Sequence, residues 1–105
     1  MEKVYHKLVR DNIPHIIRES GKECIVEIMA DEEYERELNK KLIEEAKEYI
    51  ESGSIEEIAD IMEVIYSILE LKNISMEEVE KTRLKKREER GGFEKKIKLV
   101  KVIGI

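Results

Sequence analysis

Residues 42–63 read LIEEAKEYIESGSIEEIADIME and hold the acids with the most chemical promise. Glu45 and Glu48 are three apart, as are Glu57 and Asp60, so on a helix each pair occupies one face. Gly53 falls between the pairs. Glu48 lies five residues before it and Glu57 four after; Glu45 lies eight before and Asp60 seven after. If two helices meet at Gly53, a rise of about 1.5 Å per residue puts matched acids at nearly the same height. Four carboxylates then share one patch. Helical phase supports this. At about 100° per residue, Glu45 falls inside the stripe of Tyr34, Leu38 and Leu42. Glu57 falls between Ile61 and Val64, and Asp60 beside Val64 and Leu71. Solvated charges have no reason to interrupt apolar stripes. Buried and unpaired, they are costly or take up protons. An all-oxygen cluster suits a hard divalent cation. Mg²⁺ takes few carboxylates, keeps waters and accepts phosphate oxygens in its remaining positions.

Each acid also has an ordinary reading. Glu44 lies off the stripe and reads as a solvated residue. Glu57 follows Ser54 by three and could complete a capping box. Glu45 and Glu48 could pair with Lys41 and Lys47. A patch of carboxylates also repels any polyphosphate unless cations intervene. Lys7 and Arg10 form one basic group; Arg83, Lys86, Arg87 and Arg90 form another, with Lys86 and Arg90 on one helical face. Arginine suits bidentate phosphate contact, although most basic residues in so charged a chain coat its surface. His6 and His15 lack metal-ligand spacing and read as surface residues. Tyr49, Tyr66 and Phe93 could stack on a base, but the first two follow helical stripes and read as packing.

The elements that must position these residues follow from periodicity and caps. Residues 1–10 read as irregular or extended. Asp11 or Asn12 caps a short helix to about Ser20, with Pro14 in its first turn, and Gly21 ends it. Asp31 opens a helix to about Glu51 with the stripe Tyr34, Leu38, Leu42, Ala46, Tyr49. Ser52-Gly53-Ser54 is a tight stop, and Ser54 starts a helix to about Lys72. Eleven of its residues from 55 to 71 are apolar, which predicts burial around most of its circumference. Asn73 ends it. Ser75 and Glu78 read as a capping box for a helix to about Arg90, broken by Gly91-Gly92. Residues 23–29 alternate, placing Cys24 in a core, and residues 96–103 resemble a second strand. Lone strands are marginal, so the two are paired as a ribbon. The expected fold is mainly α: a small helical bundle on an antiparallel hairpin, with a short two-stranded β-ribbon, as a single domain over residues 1–105.

Composition narrows the class. Of 105 residues, 43% are charged and 41% hydrophobic, which excludes simple disorder and fits helices with solvated faces. The net charge of −5 disfavours coating a nucleic-acid polymer. One cysteine, Cys24, permits no intrachain disulfide, and the cytoplasm is the expected compartment. No signal peptide or membrane-spanning run is evident. The apolar helix at 55–71 predicts a homodimer or homotetramer.

The pattern E-E-x-x-E at 44–48 followed by E-x-x-D at 57–60 resembles the MazG-like all-α nucleoside triphosphate pyrophosphohydrolase superfamily. A branch of it has segments similar to YHKLVRDNIPHII at 5–17 and KKREERGGFEKKIKLVKV at 85–102, so the resemblance covers nearly the whole chain. Asn12 stands where many members of that branch have Lys. The resemblance implies that Glu45, Glu48, Glu57 and Asp60 match the magnesium ligands, with Mn²⁺ a possible substitute. It implies that Glu44 matches an accessory acid that holds or activates the attacking water, with Glu45 also in the catalytic group. It raises Lys7, Arg10, Lys86 and Arg90 as phosphate contacts. The implied reaction cleaves a nucleotide between its α- and β-phosphates, releasing a monophosphate and pyrophosphate, as house-cleaning of unwanted nucleotides. Two alternatives stand beside it. One is the phosphoribosyl-ATP pyrophosphohydrolase of histidine biosynthesis. The other is a non-enzymatic interaction or regulatory module, which predicts an apolar seam without acids in phase.

Overall fold

The computed structural model describes residues 1–104, and these form four helices. Helix α1 spans Ile13–Glu19, α2 Asp31–Ser52, α3 Ile55–Leu71 and α4 Met76–Arg90. The mainly α expectation holds. The chain divides into two compact units, one of residues 1–73 and one beginning at Ile74.

The first unit is built on the α2–α3 hairpin, the only pair of helices with extensive packing among the described residues. Helix α2 begins after Ala30 rather than on a side-chain cap, and Asp31, Glu32 and Glu33 complement the positive end of its dipole. It stops at Gly53, whose φ of 64° lies in the left-handed region open to glycine, and the Gly53 N–H donates to the Tyr49 carbonyl at 2.7 Å. Helix α3 follows after one more residue, so the reversal needs only Gly53 and Ser54. Leu38 and Val64 are the buried apolar residues, at 2% and 8% exposure. Both lie on the facing sides of the hairpin, where the stripes predicted them.

The short helix α1 has Asn12 at its N-cap position without a side-chain bond, and Pro14 sits in its first turn. Residues before it run without regular structure, as expected. In the second unit, the Glu78 N–H donates to Ser75 Oγ at 3.1 Å and the Ser75 hydroxyl donates to Glu78 Oε1 at 3.2 Å. The Ser75 cap therefore forms, with Glu78 reaching back to the Ser75 hydroxyl instead of the backbone N–H that a full capping box uses, and α4 ends before Gly91.

Three expectations fail. The β-ribbon is absent: residues 23–29 and 96–103 contain no strand among the described residues. Alternation selects a face to cover, but a strand also needs a ladder partner for its backbone groups. Ile25, Ile28, Ile97 and Leu99 remain exposed instead. Cys24 is half-buried, with its thiol directed to the Pro14 carbonyl at 3.8 Å, and no core forms around it. Helix α3 is likewise not buried around most of its circumference. Val64 alone is buried on it, while Ile55, Ile58, Met62 and Tyr66 are exposed along the opposite side.

Candidate metal centre

The acids in the α2–α3 hairpin converge. Glu45, Glu57 and Asp60 each place one carboxylate oxygen so that all three oxygens lie within 4.8 Å of one another. The reversal at Gly53 produces this by setting the acids of α2 and α3 at matched heights. Around an octahedral Mg²⁺ adjacent oxygens are about 3 Å apart and opposite ones about 4.2 Å, so the three acids would draw together to seat such an ion.

Glu45 is the most informative of the three. It is 7% exposed, and its Oε2 has no hydrogen-bond partner. Its Oε1 lies 3.7 Å from Lys41 Nζ, too long for a good charge-assisted bond. Burial pushes the Glu45 carboxyl up to about 7; the Glu48 carboxyl beside it and the Asp60 charge push the same way, and Lys41 opposes them weakly. Glu57 is also raised, by loss of solvation first and then by Glu48 and Asp60. Glu48 therefore adjoins both Glu45 and Glu57, although it stands outside the close group of three.

The capping reading of Glu57 is not realised. Ser54 makes no side-chain bond to the first turn of α3 and instead meets Ser52: the Ser54 N–H donates to Ser52 Oγ at 3.3 Å. Glu57 is left facing the other acids. The expected pairing of Glu45 with Lys41 occurs only at the long distance above, and it leaves the second oxygen unsatisfied.

Cations from the N-terminal segment line the rim. Arg10 Nη2 donates to Asp60 Oδ1 at 2.6 Å, and Arg10 Nη1 lies 3.8 Å from Glu63 Oε1. Lys7 Nζ donates to Glu44 Oε1 at 3.1 Å, with Lys41 3.6 Å from the same oxygen. The hydrogen bond from Lys7 holds the Glu44 carboxyl below the usual range. His6, Lys7, Leu8, Glu37, Lys40, Lys41 and Glu44 line a cavity of about 170 Å³ at this edge.

Glu63 went unnoticed in the sequence. Its signal was available, since it follows Asp60 by three and so shares its face of α3. Lys86 and Arg90 lie exposed on α4 in the second unit, and neither has an ion-pair partner among the described residues. Arg83 and Arg87 are instead paired with Glu80 and Glu94.

Comparison with protein families, with curated proteins and with solved structures finds no match to this chain. The site must therefore be judged on its own chemistry. Three converging carboxylates, one of them buried with an orphaned oxygen, form a donor set that fits a hard divalent cation. No helix among the described residues is long and apolar enough to cross a membrane.

Proposed function

We propose that this chain is a Mg²⁺-dependent nucleoside triphosphate pyrophosphohydrolase of the cytoplasm, with Mn²⁺ able to substitute. It takes a nucleotide and water to a nucleoside monophosphate and pyrophosphate and serves in the removal of unwanted nucleotides. The observation that carries the metal half is the convergence of Glu45, Glu57 and Asp60, with Glu45 buried and its Oε2 left unpartnered. The nucleotide half rests on the resemblance of residues 5–17, 44–60 and 85–102 to the MazG-like superfamily.

In this reading Glu45, Glu57 and Asp60 hold the cation directly, and Glu48 completes or braces the set from beside Glu45 and Glu57. A bound divalent cation would supply charge neutralisation on the phosphates and a more acidic water. Glu44, held by Lys7 and lowered in pKa, is a weak base. Its role is to orient water by accepting a hydrogen bond, rather than to carry away the proton. Lys7 and Arg10 are close enough to the acids to meet phosphate oxygens delivered there. A second copy of the chain completes the fold by covering the bare side of α3, where Ile55, Ile58, Met62 and Tyr66 are exposed.

The test is incubation with a panel of nucleoside triphosphates and phosphoribosyl-ATP in Mg²⁺, with products identified by ³¹P NMR. Monophosphate and pyrophosphate are expected, with no turnover in EDTA. Orthophosphate and diphosphate as products, or full activity in EDTA, would overturn the assignment.

A further inference from the structure

The outer side of the acid cluster already holds a cation, and that cation belongs to the chain itself. Arg10 reaches across 50 positions of sequence to Asp60, one of the three converging carboxylates, and its other terminal nitrogen approaches Glu63. Around the site stand six carboxylates, Glu44, Glu45, Glu48, Glu57, Asp60 and Glu63, against three cations, Lys7, Arg10 and Lys41. Arg10 lowers the repulsion among the acids while no ion is bound. It does so by holding Oδ1 of Asp60, one of the two oxygens through which that carboxylate could reach a divalent cation.

We propose that Arg10 is an exchangeable counter-ion: it shields Asp60 in the empty site and moves to a phosphate oxygen when a divalent cation arrives with a polyphosphate. This inference rests on the metal-site reading above and deepens it. Three features carry it. The Arg10–Asp60 contact is half exposed, with the two side chains at 55% and 36%, so it is a weak tie of the kind readily exchanged. The ion's most demanding ligand is independent of Arg10, because Glu45, with its buried and orphaned Oε2, makes no ion pair with that guanidinium. The segment bearing Arg10 is also held without regular structure, and His6 within it has a φ of 45°, in the left-handed region that is strained for a residue other than glycine.

The consequence is a coupling between ligands. With Arg10 on Asp60, the ion alone binds against a competitor. With polyphosphate present, the displaced guanidinium gains a new anionic partner that holds it in bidentate fashion. Ion and polyphosphate then each strengthen the binding of the other, by the same factor in both directions. The site discriminates against a bare divalent cation and favours one that comes with its phosphate chain.

The experiment measures ion binding without turnover. Mn²⁺ alone is titrated into the parent, Arg10→Gln and Lys7→Gln, following bound ion by electron paramagnetic resonance. Thermal melts are then taken in Mg²⁺ with and without inorganic tripolyphosphate. Arg10→Gln should bind Mn²⁺ alone more tightly than the parent by roughly two- to fivefold, the factor an exposed ion pair is worth. It should also lose most of the extra stabilisation that tripolyphosphate adds to Mg²⁺ in the parent. Lys7→Gln removes an equal charge from Glu44 without touching Asp60, and it should leave Mn²⁺ affinity nearer the parent value. Equal tightening in both variants would reduce the effect to a general field. Unchanged or weaker Mn²⁺ binding by Arg10→Gln would make Arg10 a structural tie. Either result overturns the exchange while leaving the metal site standing. A parent that neither binds Mn²⁺ nor gains melting temperature in Mg²⁺, with or without tripolyphosphate, overturns the metal site and the exchange together. Arg10→Lys, which engages one carboxylate at a time, should fall between parent and Arg10→Gln. If the glutamine variant does not fold, a lysine variant no tighter than the parent is equally decisive against the exchange.

Discussion

Glu45 is held where a carboxylate is least favoured, behind the helix contact and beside two other acids, and so it keeps its proton to about 7. A carboxyl that binds its proton more tightly in the folded chain than in the unfolded one stabilises the fold while protonated. That contribution is complete below the ordinary value of 4.5 and is lost as the pH rises through about 7. Glu57 acts in the same direction. Glu44, Glu80 and Glu94 have lowered values, so their contributions fade only as the pH falls below the ordinary value and leave the neutral window alone. In EDTA, the melting temperature should therefore fall between pH 5 and 8, and Mg²⁺ at pH 8 should restore it by binding the folded state. Glu45→Gln removes the charge with little change of volume. In EDTA at pH 8 it should match or exceed the parent's stability by about 1 kcal/mol, roughly 5 °C, and it should lose the response to Mg²⁺. Differential scanning calorimetry at the two pH values, with and without Mg²⁺, reads all of these. A glutamine variant destabilised in EDTA would mean that Glu45 is a paired structural acid.

At the scale of elements, the hairpin turn sets the register on which the three carboxylates depend. Gly53 has a φ of 64°, and a Cβ there would meet nothing within 4 Å. The cost of Gly53→Ala is then the conformational one alone, about 1 kcal/mol, with no clash to add. Gly53→Asn should cost less, because asparagine enters the left-handed region more readily. Chemical denaturation of both variants checks the order, and equal losses would show that the turn is not held left-handed in solution. This hairpin was legible in the sequence because its causes are local. The stop at Gly53 and the four-residue stripes through Leu38 and Val64 are written in adjacent residues, as is the Ser75–Glu78 cap. The convergence of Glu45, Glu57 and Asp60 followed from the same register. The partners of Lys7 and Arg10 were not legible, since 37 and 50 positions separate the residues that meet and no periodicity links them. The ribbon failed for a related reason: alternation at 23–29 and 96–103 describes a preference for cover and says nothing of which backbone supplies the ladder.

At the scale of the molecule, the burial in one chain falls short of what a stable fold requires. Leu38 and Val64 are the only buried apolar residues among those described, and each contributes about 2 kcal/mol. The chain exposes 10131 Å². A monomeric domain of 12.4 kDa would expose about 6,100 Å². The face of α3 formed by Ile55, Ile58, Met62 and Tyr66 runs the length of the helix opposite Val64, and pairing two hairpins across it makes a four-helix core. The protein should therefore sediment as a homodimer or homotetramer at micromolar concentration. Met62→Glu places a charge in the middle of that face, away from the carboxylate side of the helix. It should reduce the assembly and lower the melting temperature by far more than a surface substitution, because each chain loses the cover its own residues do not provide. Glu51→Lys, an equally drastic change of charge on an exposed polar position of α2, should leave both measurements near those of the parent. Analytical ultracentrifugation of the parent and the two variants decides the matter. A parent that sediments as a stable monomer, or a Met62→Glu variant that assembles and melts as the parent does, would show that α3 keeps its apolar face in water.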